Sequence, residues 1–378
     1  MRTIDGLRIR DTQLLLCPAA LAAELPLADA SADFIARSRR AAEEIILGQD
    51  DRLLVVVGPC SIHDPEAALD YAERLRDAVG RHASELCVIM RVFVEKPRTI
   101  IGWKGLIDDP GLDDSYRIGQ GLRLARRLLL NIAKLRLPAA TEFLDPILGQ
   151  YHAELVTWGA IGARTVESQV HRALASGLSM PIGFKNRTDG DVQVAVDALL
   201  SARHPHWFAS VTRDGAPAML GTTGNSRGLL VLRGGKQGPN YNFVHVQTAV
   251  ELLCAAGLPP RLMVDCSHGN SGRDPARQPA VAAAVAAQIA AGQHAICGVM
   301  LEGNLLDGTQ NYRVRPLVYG RSVTDSCLAW EKTIPVLGQL AAAVRARRSQ
   351  TRHVSRPALK PSNAASTRTS RRALAPAA

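Results

Sequence analysis

The chain has 378 residues, of which 47% are hydrophobic and only 4% aromatic, enough for one large soluble domain with appendages, and no apolar run is long enough to span a membrane. Its net charge of +10 is local: nine of the 45 Lys and Arg lie from Arg345 onward, where no acidic residue occurs, leaving 36 basic against 35 acidic side chains before that point. A nearly neutral body argues against a nucleic-acid or membrane-surface protein, and seven cysteines without a CxxC pair argue for reduced thiols in a cytoplasm rather than a disulfide framework.

In chain order, the apolar segment at 14–28 has the composition of a short export signal. It contains Pro18 and Glu24, lacks a basic leader and runs into a predicted helix over 32–46, so export is not expected. Eight short apolar runs follow, at 53–60, 86–91, 137–142, 160–164, 181–185, 207–211, 262–268 and 298–302. Near-continuous Val, Ile, Leu and Met at strand length predict strands buried on both faces, as in a parallel sheet with helical crossovers. The stretches between them read as helices. The first opens on Asp64-Pro65-Glu66, an N-cap followed by Pro at the first helical position; others are expected at 121–135, 146–158, 166–178, 192–202, 246–256 and 280–291. Eight strand–helix units predict a (β/α)8 TIM barrel over 51–348, with a doubly wound open sheet as the rival. Residues 1–50 read as an extension, and the glycine-bearing stretch 213–235 as a β-hairpin inserted between strands six and seven. The basic segment 349–378, rich in Ser, Thr, Pro and Ala, reads as a disordered, solvated tail.

Seven of the eight runs end on a side chain able to bind a metal, a phosphate or a proton: Cys60, Arg91, Glu142, Arg164, Lys185, His268 and Glu302. Only the run at 207–211 does not. A barrel gathers its strand ends at one face. Cys60, His268 and Glu302, with Asp325 before the last helical segment, would then make an open mixed site for a borderline divalent ion. Taken singly, each has an ordinary structural reading, as a buried thiol or a helix cap. Arg91, Lys96, Arg98, Arg164, Lys185 and Arg233 also lie at or past strand ends. Six cations in a neutral body suit a small ligand with several negative charges, because Arg binds phosphate and carboxylate oxygens in a bidentate way.

The stretches GPCSIHDPEAALDYAERL from Gly58, MRVFVEKPRTIIGWKGLIDDP from Met90, AATEFLD from Ala139, WGAIGARTVESQVHRALASGLSMPIGFKN from Trp158, LRGGKQGPNY from Leu232 and MVDCSHGNS from Met263 closely resemble class I 3-deoxy-D-arabino-heptulosonate 7-phosphate (DAHP) synthase. The resemblance implies condensation of phosphoenolpyruvate with erythrose 4-phosphate, the first step of the shikimate pathway, on Mn²⁺, Fe²⁺, Co²⁺ or Zn²⁺. It places metal ligands at Cys60, His268, Glu302 and Asp325. It places phosphoenolpyruvate contacts at Arg91, Lys96, Glu142, Arg164, Lys185 and Arg233, and erythrose 4-phosphate contacts at Lys96, Arg98, Thr99 and Asp325. Lys96 would give a proton to the new alkoxide, and Glu142 or a metal-linked water would handle the attacking water. Ile100, Arg187 and Gly303-Asn304 depart from the family pattern, which bears on the sugar-phosphate contact and the turn at Arg187 and leaves every ligand in place.

A related 3-deoxy-manno-octulosonate 8-phosphate synthase is the alternative; Lys-Pro-Arg-Thr at 96–99 argues against it. The resemblance also implies a homo-oligomer, a dimer or tetramer, whose appendages build an effector pocket for an aromatic amino acid. Segments at 178–181, 262–271 and 277–281 are most like the tyrosine-sensitive isozymes, with Gln150 and Ser179 expected in that pocket. Cys327, two residues after Asp325, is placed to oxidise with Cys60 when metal is absent.

Overall fold

Leu53–Gly58 (β1) is buried at every position. Leu53, Val55 and Val57 join the cluster shared with the surrounding helices, whereas Leu54 and Val56 join a second, smaller cluster. Two apolar faces on one strand are what a barrel wall demands. The computed structural model, which describes residues 4–354, closes eight such strands into one parallel barrel. Around it run β1, Leu86–Arg91 (β2), Ala139–Glu142 (β3), Trp158–Ile161 (β4) and Ile182–Lys185 (β5), then Gly228–Leu232 (β8), Leu262–Asp265 (β9) and Ile296–Glu302 (β10), which pairs back on β1. Helices Pro65–Val79 (α3), Ile118–Lys134 (α4), Gln169–Gly177 (α5), Gln193–Ala202 (α6), Phe243–Ala255 (α7), Gln278–Ala290 (α9) and Trp330–Val354 (α10) form the outer ring, and the single turn His268–Ser271 (α8) follows β9. The start signal read at Asp64 is met: its carboxylate accepts from the backbone N–H groups of Glu66 at 2.9 Å and Ala67 at 3.1 Å.

Two short helices precede the barrel, Pro18–Glu24 (α1) and Asp29–Leu47 (α2). Ala42, Ile45 and Ile46 of α2 share the inner cluster with Leu54, Trp158, Val231 and Met263. Part of the N-terminal extension therefore belongs to the barrel's own core.

Three expectations change. The run at 207–211 is not the sixth barrel strand. Trp207–Val211 (β6) pairs antiparallel with Pro217–Gly221 (β7) in a separate two-stranded sheet, and the sixth barrel strand is β8, between β5 and β9. The inserted hairpin thus lies between the fifth and sixth barrel strands rather than the sixth and seventh. Burial decides it: β6 stays half exposed, whereas Leu229–Leu232 are buried and fill the wall. Second, the helix expected over 146–158 is two 3-10 turns, Leu148–Tyr151 and Ala153–Leu155. Trp158 instead begins β4 with its fully buried ring in the inner cluster, and burial of that ring outweighs continued helix. Third, residues 349–354 of the expected tail continue α10; the remainder, 355–378, lies outside the described residues. Among the described residues, no helix is long and apolar enough to cross a membrane.

Candidate active site

Every barrel strand delivers a chemically active side chain to its carboxyl end. Arg91, Glu142, Lys185, Asp265 and Glu302 are the last residues of β2, β3, β5, β9 and β10, and Arg233 directly follows β8. Cys60 and Arg164 stand two and three residues beyond β1 and β4. The corrected sixth strand supplies the site residue that the run at 207–211 lacked.

At the centre, Cys60, Glu302 and Asp325 each offer a donor atom within 4.8 Å of the other two. Lys96 Nζ stands 2.7 Å from Cys60 Sγ and 3.3 Å from Asp325 Oδ2. Lys96 holds Asp325 well below the usual carboxylate range. Burial works against the charge on Lys96, but Cys60, Asp325 and Glu302 outweigh it and keep the ammonium protonated. Burial also pushes the Cys60 thiol up to about 12, reinforced by Glu302. A buried thiol flanked by two carboxylates holds its proton until a cation replaces it, so this donor set fits a borderline divalent ion.

His268 completes the expected ligand set only partly, because its ring lies outside that 4.8 Å group. Its Nε2 is 3.6 Å from Glu302 Oε1, and its Nδ1 is 2.9 Å from Asp265 Oδ2. A carboxylate on Nδ1 favours the tautomer that leaves the Nε2 lone pair facing Glu302. Asp265 also accepts from Lys185 Nζ at 3.0 Å and from the Ser267 hydroxyl. Burial would raise Asp265, yet His268 and Lys185 hold it well below its ordinary range.

The cations close the rim. Arg91, 1% exposed, lies 3.1 Å from Glu302 Oε1 and 4.0 Å above the Phe93 ring. Arg164 donates to Thr99 Oγ1 at 3.0 Å and to the Pro97 carbonyl, which brings the Lys-Pro-Arg-Thr loop beside β4. Arg98 is turned onto the Trp103 carbonyl. Arg164 and Arg233 have no carboxylate partner among the described residues. Glu142 is buried with Oε1 unpartnered. Arg187 is engaged elsewhere, with Glu167 and Asp189, bracing the loop after β5.

Gln150 and Ser179 are not in this centre. They line a separate pocket of about 700 Å³ with Leu178, Phe208, Met219 and Gly221, between the hairpin and the β3–β4 crossover.

Sequence reasoning passed over several residues. Asp265 stood in plain view as the last residue of its strand. Gln278 clamps the Glu302 backbone with its side-chain amide, Nε2 donating to the carbonyl at 3.0 Å and Oε1 accepting from the N–H at 2.9 Å, a role without a sequence signal. Glu95 is buried beside Lys96 and accepts from the Asp145 N–H at 3.1 Å.

This arrangement can be set beside known proteins. The sequence profile of the DAHP synthetase I family matches residues 30–337. The chain belongs to that family. It is 53% identical over 345 residues to the Phe-sensitive phospho-2-dehydro-3-deoxyheptonate aldolase of Escherichia coli K12, covering 91% of this chain and 98% of that protein. It is 48% identical over 356 residues to the tyrosine-inhibited enzyme of Schizosaccharomyces pombe, covering 92% and 96%. A solved structure of the same-named aldolase from Francisella tularensis, 52% identical, superposes with a TM-score of 0.89 over 90% of this chain and 99% of that one.

Proposed function

We infer that this chain condenses phosphoenolpyruvate with erythrose 4-phosphate and water to give DAHP and orthophosphate. The observation that carries the reading is the Cys60–Glu302–Asp325 cluster with Lys96 among its atoms, enclosed by Arg91, Arg164, Lys185 and Arg233 at the strand ends. Arg91, Lys185 and Arg233 would hold the carboxylate and phosphate of the enol phosphate, with Arg164 at the rim. Arg98 and Thr99 would hold the phosphate of the aldose. Cys60, Glu302 and Asp325, with Nε2 of His268, would hold the divalent ion (Mn²⁺, Fe²⁺, Co²⁺ or Zn²⁺), which when bound supplies Lewis-acid polarisation of the aldehyde oxygen. As C3 of the enol phosphate bonds to the aldehyde carbon, the protonated Lys96 gives its proton to the new alkoxide. Glu142, with Oε1 free of partners, takes a proton from the water adding at C2, and orthophosphate leaves.

The test is orthophosphate release from the two substrates, before and after chelation. The expected result is release that disappears with chelator and returns with one of the four ions; undiminished release after metal stripping refutes the ion's role. Arabinose 5-phosphate in place of erythrose 4-phosphate addresses the octulosonate alternative, and no turnover is expected.

Feedback inhibition by an aromatic amino acid accompanies this activity, supported by relatives named for phenylalanine, tryptophan and tyrosine sensitivity. The pocket at Gln150 and Ser179 is its site in this reading, and tyrosine the effector. Residues 1–50 with the hairpin then serve assembly and regulation, and residues 51–348 catalysis. Light scattering is expected to give a dimer or tetramer.

A further inference from the structure

Beside Arg233 and His268 lies a further pocket of about 430 Å³. Four cations line it, Arg233, Lys236, Arg273 and Arg277, together with His268 and Thr188, and no carboxylate does. None of the four forms an ion pair with a carboxylate among the described residues. Arg273 stands close enough to the centre to help lower Asp325. In a body with balanced charge, four unneutralised cations on one concave wall are costly unless an anion comes to them.

The wall is rigid because backbone packs on backbone. A Cβ on Gly234 would meet the Asn270 nitrogen at 2.5 Å, one on Gly235 would meet the Gly190 Cα at 2.4 Å, and one on Gly269 would meet the Gly235 nitrogen at 2.6 Å. Gly234 also has φ +71°, a conformation that favours glycine. Three buried asparagines tie these segments together. Asn186 accepts from the Arg233 N–H and Asn240 from the Gly234 N–H, and Asn270 accepts from the Asn240 N–H, each at 2.7 Å. So much backbone fixing leaves Arg233 and Arg273 between the reaction centre and the pocket, with Lys236 and Arg277 in the pocket's own lining.

We propose that this pocket is a second anion site, which takes the orthophosphate freed from the enol phosphate and holds it outside the reaction centre before release. The proposal rests on the condensation reading for the origin of its anion. A dianion loosened from Arg233 at the centre meets Arg273 and then Lys236 and Arg277 along a path without repelling charge, and fork-shaped guanidinium donors suit its oxygens.

The experiment is calorimetric titration of the metal-loaded full chain with inorganic phosphate, for the wild type and for K236Q/R277Q, two residues outside the substrate and ion contacts. The wild type is expected to bind one phosphate more per chain than the double variant. Phosphate inhibition of turnover should be weaker by about tenfold in the variant, because two charge contacts are lost, while KM for phosphoenolpyruvate is unchanged. K236R/R277K should restore that phosphate, which a merely misfolded pocket would not. Glycerol 3-phosphate, titrated in parallel, separates the free anion from a sugar phosphate; tighter binding of the ester overturns the assignment to the leaving group. Identical phosphate binding by wild type and K236Q/R277Q overturns the site. Failure of the condensation reading shows separately, as no phosphate release from the two substrates.

Discussion

Gly162 shows how little room the reaction centre leaves at the scale of one residue. A Cβ there would lie 2.0 Å from Glu142 Oε1 and 3.0 Å from its carboxyl carbon, so Gly162→Ala must displace a buried carboxylate while touching nothing else closely. If Glu142 moves a proton in the reaction, kcat should fall by about 100-fold or more with the thermal midpoint little changed. Activity within twofold of wild type would show that Glu142 has no such role. Two buried titratable groups contribute to how stability depends on pH. Burial raises the Glu95 carboxyl to about 8. It is therefore protonated in the folded chain at pH values where the unfolded chain has lost the proton, and its contribution, full below about 4.5, is lost as pH rises toward 8. Burial depresses His152 to about 4. The unfolded chain takes up that proton first, so stability is lost as pH falls from about 6.5 toward 4. Urea unfolding from pH 5 to 9 should lose part of its alkaline decline in Glu95→Gln; an unchanged slope would mean that Glu95 is ionised in the fold. Cys60 and Cys327 make a third test, since the Cys60 N–H points at Cys327 Sγ at 3.3 Å. Air oxidation of metal-free protein should link the two in peptide maps and remove activity that thiol restores; finding both free would end that idea.

Among elements, β4 and β5 share a tight steric constraint inside the barrel. Gly183, inside β5, leaves the space that the β4 Trp158 ring fills: an added Cβ would meet Cζ2 at 2.1 Å and Cη2 at 2.4 Å. Neither can yield inside a closed wall, so Gly183→Ala should cost about 1–3 kcal/mol or more, visible as a lower thermal midpoint. An unchanged midpoint would mean that the barrel interior repacks freely. The same strands explain what the sequence made legible. A wall strand is apolar on both faces, so seven of the barrel strands announced themselves as apolar runs ending on a functional side chain. The sixth was misplaced because the segment at 207–211 carries Trp, Phe and Val, good strand formers whatever their burial. The distinguishing sign lay in the pattern: Leu229–Leu232 is an unbroken apolar run directly before Arg233, whereas Trp207–Val211 is interrupted by Ala and Ser. Trp158 was lost to an expected helix for the opposite reason, since periodicity before it resembles a helix and nothing local reports that its ring is needed inside. The ends of the runs identified Cys60, Arg91, Glu142, Lys185 and Glu302 because a parallel barrel places all carboxyl ends at one face. The His268–Asp265–Lys185 linkage and the Gln278 clamp depend on contacts between strands and loops far apart in sequence, which no local pattern records.

Across the whole molecule, the pocket at Gln150 and Ser179 and the reaction centre are separated by the β3–β4 crossover and joined through it. Gly149 and Gln150 line the pocket in a turn whose start is fixed by Asp145, its carboxylate accepting from the N–H groups of Ile147 at 2.7 Å and Leu148 at 2.9 Å. Asp145 in turn donates its N–H to Glu95, the chain neighbour of Lys96. On the other side of the turn His152 stacks on Phe143, which follows Glu142. A ligand that shifts this turn therefore bears on both proposed proton-handling residues without touching either. Inhibition requires only that the ligand favour the displaced turn by about 1–3 kcal/mol, a 5- to 150-fold coupling. Initial rates titrated separately with tyrosine, phenylalanine and tryptophan should fall with tyrosine most strongly; if another of the three acts instead, only the choice of effector changes. Ser179→Trp, which fills the pocket from its rim, should abolish the inhibition and leave kcat within about twofold, because the pocket holds no reacting group. If millimolar concentrations of all three leave the wild-type rate unchanged, the pocket is not a regulatory site, and the catalytic reading stands on its own geometry.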